Sequence, residues 1–390
     1  MYTIKTLNKI SERGLARFDP ARFAVSADAD EPDGILVRSA DMHSIELPRS
    51  VRAIARAGAG VNNIPVDLCS DRGIVVFNTP GANANSVKEL VLCGMLLASR
   101  DIHGGIAWVK SLAGTDVDVA TAVEKEKSRF AGPEILGKKL GVVGLGAIGV
   151  LVANAADALG MEVIGYDPYI SVDSAWGLSK GVRRARSLES LLAEVDFLTL
   201  HVPQNDNTKG MINADTIQTM KEGVRIMNFA RGGLVKTADI ISAVRSGHVA
   251  GYVTDFPDQE MIAEPRIFTI PHLGASTPEA EENCAEMAVR QMIDFLESGV
   301  IRNAVNFPEC VLDRSGAPRL LIANRNIPNM VGQITTILAK EKLNILDMIN
   351  RHRGEYAYNI IDIKGELSPA AVERIREIDG VIMVRALEAQ

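Results

Sequence analysis

The stretch RIMNFARGGLV (residues 225–235) places a single arginine at the end of an apolar run. Arg231 follows residues that are typical of a buried strand, and two glycines come directly after it. A guanidinium is costly to bury without a negative partner. The stretch therefore predicts an anion beside Arg231, either an acidic side chain such as Asp255 or Glu260 or a ligand that the protein binds.

A second chemical signal is the glycine pattern GLGAIG (residues 144–149), which stands between an apolar strand pattern and a helical one. In this context Gly144 permits a tight turn, Gly146 lets the backbone approach a pyrophosphate, and Gly149 allows close helix–strand packing. The helix start supplies amide donors to the phosphates. Asp167 ends the next strand, where a carboxylate can bond both ribose hydroxyls and repel a 2′-phosphate. The pattern favours NAD over NADP; the alternative is a packing turn without a ligand.

Further polar residues stand where later strand patterns end. Ligands of open α/β sheets bind at the carboxyl ends of the strands. Singly, His201 or Asp255 is as easily explained by a structural role, but together these residues predict one polar rim around a crevice. The set is His201, Pro203, Arg231, Asp255, His272 and Gly274.

These residues need two α/β series to position them. The first hundred residues carry three strand patterns, at 34–40, 51–60 and 73–81, and a helical pattern at 85–100. A second series alternates strands and helices, which predicts a second doubly wound sheet. Its strand patterns lie at 138–149, 161–167, 196–203, 224–233, 249–256 and 266–277.

The C-terminal part has a different pattern. Residues 306–319 contain two prolines, a glycine and mixed charge, which is typical of a linker. The order that follows is strand, helix, strand, strand, helix, strand, with Ser368 and Pro369 as a helix start. This βαββαβ order predicts a ferredoxin-like unit.

Composition narrows the class of protein. The chain has 390 residues, 47% hydrophobic and 23% charged, with a net charge of −7. This balance argues against a nucleic-acid or anionic-membrane partner. The four cysteines show no CxxC pair, so we expect reduced thiols, no metal site and a cytoplasmic location. The N-terminus lacks an apolar signal core.

The ordered motifs GLGAIG, YDP, HVPQNDNTKGMI, NFARGGLV, DFPDQE and PHLGAST resemble the NAD-dependent D-2-hydroxyacid dehydrogenase family over roughly residues 1–310. The C-terminal unit is similar to an ACT regulatory domain. The resemblance implies two Rossmann-like doubly wound domains and a ferredoxin-like one. The implied boundaries are 1–97 with 282–310 for substrate binding, 98–281 for NAD binding and 318–390 for the ACT-like domain.

The resemblance implies a catalytic trio. Arg231 corresponds to the arginine that binds the substrate carboxylate and C2 oxygen, which a planar guanidinium can grip in bidentate fashion. His272 corresponds to the general base. The glutamate that holds this histidine corresponds to Glu260 by spacing, with Glu264, which precedes a proline as the family glutamate usually does, as the alternative.

The resemblance, read with the glycine loop, also assigns binding residues. In the RAGAGVNN stretch (56–63), glycine-rich amides can form an anion-binding nest. Cations near the same cleft are candidates for a substrate phosphate, although each is equally explained as a solvated surface charge. The substrate set is Arg38, Arg56, Ala59, Gly60, Lys88 and Arg231. The cofactor set is Thr79, Gly144, Gly146, Ala147, Ile148, Gly149, Asp167, His201, Pro203, Thr208, Ala230, Asp255 and Gly274.

The implied reaction is NAD-dependent oxidation of 3-phosphoglycerate to 3-phosphohydroxypyruvate. Alternatives are another D-2-hydroxy acid, such as glycerate or lactate, or a dinucleotide-sensing corepressor without activity. By the same resemblance, Asn324, Asn326 and Asn344 correspond to positions that bind L-serine as an effector in ACT domains. A purely structural role for this unit is the alternative. We also expect a homodimer or homotetramer.

Overall fold

The computed structural model describes residues 1–389 and separates them into two units. One unit combines Met1–Ala82 with the chain from Glu281 onward, and the other is Asn83–Ala280. Each unit contains its own parallel sheet. The residues with candidate chemistry at positions 144–274 all lie in the second unit.

The first unit begins with a five-stranded sheet in the order β2-β1-β3-β4-β5, with every pair parallel. This is one of the two common doubly wound orders. Strands β3 to β5 are short apolar runs because both of their faces are covered. The elements are β1 (Tyr2–Leu7), α1 (Glu12–Leu15), β2 (Phe23–Ser26), β3 (Gly34–Val37), β4 (Ala53–Arg56), α2 (Val66–Asp71) and β5 (Val75–Phe77).

The second unit holds a seven-stranded parallel sheet in the order β12-β11-β10-β9-β6-β7-β8. The order reverses between β6 and β9, the switch point at which ligands bind in such sheets. Its helices are α3 (Ala84–Ser99), α4 (Ile102–Ser111), α5 (Val119–Glu126), α6 (Ala147–Ala158), α7 (Val172–Trp176), α8 (Leu188–Leu192), α9 (Ala214–Gln218) and α10 (Thr237–Ser246). Its strands are β6 (Lys139–Val143), β7 (Glu162–Tyr166), β8 (Arg183–Arg184), β9 (Phe197–Leu200), β10 (Val224–Asn228), β11 (Val249–Thr254) and β12 (Ile267–Thr269).

Helix α3 belongs to this second unit, although the expected boundary placed it before residue 97 in the substrate domain. Its buried Val87, Val91 and Met95 share a core cluster with Val142 of β6 and Met227 of β10. The apolar face of the helix therefore covers the cofactor-side sheet, and the chain leaves the first unit at Ala82.

The chain returns to the first unit through the long helix α11 (Pro278–Ser298). An antiparallel sheet in the order β14-β15-β13-β16 follows, which confirms the predicted βαββαβ order. Helices α12 and α13 cover one face through Leu320, Ile322 and Ile361. The elements are β13 (Arg319–Arg325), α12 (Met330–Lys340), β14 (Asn344–Arg353), β15 (Tyr356–Lys364), α13 (Pro369–Arg376) and β16 (Val381–Leu387).

The other face of this antiparallel sheet shares a core with the rest of the first unit. Leu321, Tyr358 and Ile360 cluster with Phe295 of α11 and Phe307. The segment 306–319, expected to be a linker, is therefore part of the structure. Its prolines and glycine do mark irregular backbone, but Phe307 and Cys310, on either side of Pro308, are 0% exposed.

Within residues 1–389, no single helix is long and apolar enough to cross a membrane. The pair α3 and α4 meets the length and composition requirement only together, with a 67° bend between the two helices. Burial of Val87, Val91 and Met95 of α3 in the protein core accounts for the apolar character of the first helix.

Candidate active site

The glycine loop between β6 and α6 fits the three roles predicted for it. Gly144 has φ 91°, and a side chain there would lie 2.5 Å from the carbonyl oxygen of His201. A side chain at Gly149 would lie 1.9 Å from the carbonyl oxygen of Gly144. Gly146 differs, because a side chain there would meet nothing within 4 Å. Gly146 therefore faces open space at the start of α6, where amides of Ala147 and Ile148 are available to an anion.

Asp167 connects this loop to the end of β7. Its Oδ2 accepts a hydrogen bond from the Leu145 amide at 2.8 Å, and its Oδ1 accepts one from the Tyr169 amide at 2.8 Å. A carboxylate has about four acceptor sites, so Asp167 keeps lone pairs for ribose hydroxyls. The open space at Gly146 and the remaining acceptor sites of Asp167 together fit a dinucleotide whose ribose carries no 2′-phosphate.

His201 and the loop after β9 form the next part of this sheet edge. The His201 amide donates to Val143 at 2.7 Å, and its Nε2 lies 3.0 Å from the Thr199 hydroxyl. Burial lowers the pKa of His201 to about 3, so the ring is neutral at physiological pH. The Thr208 hydroxyl donates to the Pro203 carbonyl at 2.6 Å. Thr208, predicted to contact the cofactor, thus uses its hydroxyl to hold the loop.

Arg231 emerges from a turn that a buried asparagine fixes. Asn228 is 0% exposed, accepts from the Ala230 amide at 3.2 Å and donates to the Arg231 carbonyl at 2.9 Å. The Arg231 side chain is exposed and bonds only the Ala230 carbonyl, at 2.6 Å. Among residues 1–389, no carboxylate lies within 4.0 Å of its guanidinium. The predicted intramolecular ion pair is therefore not formed, and Arg231 is available to an external anion.

His272 lies beside a buried carboxylate, but this is Asp255 and not Glu260. Its Nδ1 is 3.3 Å from Asp255 Oδ2, and its ring centre is 5.0 Å from that of Phe256. The Asp255 side chain is 0% exposed, while that of His272 is 62% exposed. Burial raises the pKa of Asp255, and the charge of His272 acts against this shift. A side chain at Gly274 would lie 3.3 Å from Val87 Cγ2, which is tight, and at an ordinary contact distance of 3.6 Å from Asp255 Oδ2.

The two candidate glutamates differ in their surroundings. Glu260 is exposed, and its side chain makes no hydrogen bond or ion pair with the described residues. Glu264 is engaged elsewhere: its Oε1 accepts from Arg245 Nε at 3.0 Å, and its side chain is 11% exposed. Glu264 is therefore committed to α10, and of the two only Glu260 is free to act.

Neither Asp255 as the neighbour of His272 nor Asn228 was assigned these roles from the sequence. A signal for Asn228 existed, since a polar residue interrupts the apolar run of β10. No comparable signal existed for Asp255, because its pairing with His272 depends on strand β12 lying beside β11.

In the first unit, the predicted anion-binding loop is closed by its own arginine. Arg56 Nε donates to the Arg38 carbonyl at 3.0 Å, and NH1 donates to the Gly60 carbonyl at 2.6 Å. Arg38 pairs with Glu281 at 2.5 Å. The Ala59 carbonyl accepts from Asn78 at 2.7 Å, while the amides of Ala59 and Gly60 make no hydrogen bond with the described chain. An anion could therefore be bound here by the two amides of this loop and by the partly exposed Arg38 beside it.

Two other predicted contacts are less accessible. Thr79 is 0% exposed inside the first unit, next to Cys284, which leaves it no surface for a cofactor. Lys88 on α3 is 20% exposed in its side chain and lies 3.6 Å from Glu89. It is therefore half-buried and already near a carboxylate.

The three predicted effector residues also have different environments. Asn324 is 1% exposed; its Oδ1 accepts from Asn359 at 2.8 Å, and its Nδ2 donates to the Arg325 carbonyl. It is a structural amide of the sheet and has no face for a ligand. Asn326 and Asn344 are exposed, and Asn326 Nδ2 bonds the Gly354 carbonyl at 3.2 Å.

Comparison with known proteins agrees with this geometry. Residues 92–276 match the family described as D-isomer specific 2-hydroxyacid dehydrogenase, NAD binding domain. The chain is 33% identical over 372 residues to the D-3-phosphoglycerate dehydrogenase of Methanocaldococcus jannaschii, covering 91% of this chain and 67% of that protein. The chain belongs to the D-isomer specific 2-hydroxyacid dehydrogenase family. Residues 92–276 are accordingly its NAD-binding domain, which confirms the predicted cofactor and fold class.

Other family members give the same result. The D-3-phosphoglycerate dehydrogenase of Synechocystis is 34% identical over 368 residues, which cover 90% of this chain and 63% of that enzyme. The crystal structure of NAD⁺-bound 3-phosphoglycerate dehydrogenase from Entamoeba histolytica has a TM-score of 0.60 and 26% identity, covering 78% of this chain and 98% of that one. The chain spans about two thirds or less of the length of these two curated relatives.

Proposed function

We propose that this chain is an NAD-dependent dehydrogenase that oxidises 3-phospho-D-glycerate to 3-phosphohydroxypyruvate. The proposal rests on one observation: the unit that holds the glycine loop contains both an Arg231 without an acidic partner and the Asp255–His272 contact. A cation for the substrate and a base for its proton are the two groups that oxidation of a hydroxy acid requires. The choice of 3-phosphoglycerate as the substrate rests on the relatives named D-3-phosphoglycerate dehydrogenase.

Arg231, His272 and Asp255 have separate roles in the proposed reaction. Arg231 binds the carboxylate of the substrate through its planar fork and orients C2. His272 accepts the proton of the C2 hydroxyl at Nε2, because its Nδ1 faces Asp255 and keeps its proton there. Asp255 then stabilises the imidazolium that forms. Gly146, Asp167 and the start of α6 would hold NAD, which would supply a nicotinamide able to accept the hydride.

The finer assignments rest on the resemblance and on exposure. Glu260 is the acidic residue that we propose supports His272 from the solvent side. Arg38, Arg56 and Lys88, with the amides of Ala59 and Gly60, are proposed for the substrate phosphate. Asn326 and Asn344 are proposed for an L-serine effector.

We further propose a homo-oligomer and a cytoplasmic location. Helix α4 supports the first, because its Ile106 and Val109 are 52% and 46% exposed. The four cysteines form no disulfide, which supports a reducing compartment. The proposed domain division is the expected one, 1–97 with 282–310 for substrate, 98–281 for NAD and 318–390 for regulation, with residues 83–97 moved to the NAD-binding part because α3 packs there.

The decisive measurement is NADH formation by the purified full chain. We expect turnover with 3-phosphoglycerate, much less with glycerate or D-lactate, and inhibition by added L-serine. His272→Ala should abolish turnover while NAD binding is retained. Equal rates with phosphorylated and unphosphorylated glycerate would refute the substrate, and turnover by His272→Ala would refute the base. NAD binding without turnover on any of these acids would instead favour a dinucleotide-sensing protein.

A further inference from the structure

A cavity of about 560 Å³ lies in the first unit, between the edge strand β14 and the segment that follows α11. Pro308, Glu309 and Val311 form one side, and Ile349, Arg351 and Arg353 form the other. None of these residues belongs to the sets assigned to cofactor, substrate or effector. A volume of this size can hold a small metabolite.

The strand side of the cavity is cationic. Side chains alternate along a strand, so Ile349, Arg351 and Arg353 share the face of β14 that lies over Ile360, Tyr358 and Tyr356 of β15 in the register. Arg353 is fixed by a hydrogen bond from NH1 to the Ala304 carbonyl at 2.6 Å. Arg351 makes no hydrogen bond and no ion pair with residues 1–389.

The charge of this wall is not neutralised by the protein. Glu309 is the one acidic residue that lines the cavity, and it is exposed and forms no ion pair with the described residues. His352 also lines the cavity. Two arginines thus face a single acid in a protein whose net charge is −7. An open guanidinium with a second one nearby is the arrangement that binds carboxylates and phosphates.

The opposite wall adds an apolar surface. On this wall Pro308 is buried and Val311 is partly buried, and Ile349 of the strand side extends the apolar surface. An inorganic anion would use only the arginines, whereas an organic one would also cover this carbon surface. The two walls together select a ligand with one anionic group and a short hydrocarbon part.

We propose that this cavity is a second ligand site, which binds a small organic carboxylate or phosphate monoester. Such a ligand would contact both the C-terminal sheet and residues 308–311, the end of the segment 304–311. That segment is tied to β5 through the Val305 amide, which donates to the Val76 carbonyl at 2.9 Å, and through the pairing of Ala304 with Phe77. The ligand therefore braces the antiparallel sheet against the parallel sheet of the same unit.

The test is titration calorimetry on the full chain with three probes: phenyl phosphate, inorganic phosphate and phenol. An Arg231→Ala, Arg38→Ala background weakens anion binding both at the candidate active site and at the residues proposed for the substrate phosphate. We expect one phenyl phosphate per chain, weaker binding of inorganic phosphate, and no measurable binding of phenol. Adding Arg351→Ala should weaken phenyl phosphate at least about tenfold, the effect of losing one charge-assisted interaction. Arg351→Lys should recover part of the loss.

The matched control is Arg302→Ala, because Arg302 is an exposed arginine that pairs with Asp294 and does not line the cavity. It should leave phenyl phosphate binding unchanged. Equal affinities in the Arg351→Ala and Arg302→Ala backgrounds would overturn the site. Equal affinities for phenyl phosphate and inorganic phosphate would overturn the organic ligand class. A change of oligomer mass in Arg351→Ala, seen by sedimentation, would show that a second copy and not a small ligand occupies the cavity.

Discussion

At the scale of single residues, the candidate site pairs a buried carboxylate with a histidine that is mostly exposed. The protein keeps Asp255 out of water although neither of its oxygens has a hydrogen-bond donor of standard geometry. Burial raises the pKa of Asp255, with the charge of His272 acting against the rise. Such an arrangement costs folding stability and is typical of functional groups.

The first prediction concerns Asp255→Asn. An acid whose folded pKa is raised contributes stability that is present below its unfolded pKa of about 3.9 and is lost as pH rises through the folded pKa. The Asn variant avoids this loss, so it should unfold at a higher denaturant concentration than wild type at pH 8 and at a similar one near pH 3. Its kcat should fall about 10- to 100-fold, the usual effect of removing a carboxylate that orients a histidine.

Glu260→Gln is the comparison for this experiment, because Glu260 is the exposed acid that the family spacing selects. If Asp255 orients His272, Asp255→Asn should lower kcat more than Glu260→Gln. The reverse order would assign the orienting role to Glu260 and leave Asp255 as a structural acid.

A second residue-scale prediction concerns Arg231→Lys. Lysine keeps the positive charge but offers no bidentate fork. We expect KM for the hydroxy acid to rise at least about tenfold, with the affinity for NAD unchanged in a fluorescence titration. An unchanged KM would show that the carboxylate is bound elsewhere.

At the scale of elements, the strand–turn–helix unit of β6 and α6 was predictable in type and in detail. Its three glycines follow an apolar strand, and each is required for a different physical reason. The space around each glycine in the structure distinguishes these reasons. The edge strand β2 and its neighbour β1 were not predicted, because FAVS and YTIKTL are largely half-exposed or exposed and lack a long apolar run. The partner of His272 was missed for another reason, since it depends on which strands are neighbours.

The glycine loop gives a matched pair of variants. Gly146→Ala places a methyl group in open space at φ −75°, so the thermal midpoint should stay near that of wild type while NAD binds more weakly. Gly149→Ala places a methyl group 1.9 Å from a carbonyl oxygen, so the protein itself should lose stability. Thermal unfolding without ligand and calorimetry with NAD distinguish the two effects. Unchanged NAD affinity in Gly146→Ala would contradict the role assigned to this residue.

At the scale of the whole molecule, a buried arginine of the C-terminal sheet, paired with a carboxylate of the same sheet, joins that sheet to the chain before it. Arg319 Nε lies 2.6 Å from Asp362 Oδ1, and both side chains are at most 1% exposed. Arg319 also donates to the carbonyls of Ser298 and Leu312, at 2.9 and 2.8 Å. The end of α11, the segment after it and the antiparallel sheet thus meet at one guanidinium. The sequence suggested a linker here because the partners of Arg319 are distant in the chain.

Asp362→Asn tests this junction. Burial alone would raise the pKa of Asp362, but hydrogen bonds from Arg319 and Ser315 outweigh it, so the pKa is lowered. The pair therefore contributes stability above the unfolded pKa of about 3.9, and the contribution is lost as pH falls through the lower folded pKa. We expect urea unfolding at pH 7 to show a loss of about 3 kcal/mol.

The difference between wild type and Asp362→Asn should shrink below about pH 3.9. Ser315→Ala is the control, because it removes a neutral donor to the same carboxylate, at 2.7 Å, and keeps the ion pair. Its loss should be about 1 kcal/mol. Losses of equal size in the two variants would show that the charge of Asp362 contributes nothing to the junction.

The core shared by Phe295, Phe307 and Tyr358 has a consequence for how this chain can be recombined. A C-terminal sheet taken from a relative and spliced in at residue 318 would bring its own residue at position 358 against a foreign pair of phenylalanines. The contact between the C-terminal sheet and the rest of the unit is buried, so residues on its two sides must change together during evolution. Viable chimeras should therefore carry α11 and the sheet from the same parent, with the crossover placed before residue 278.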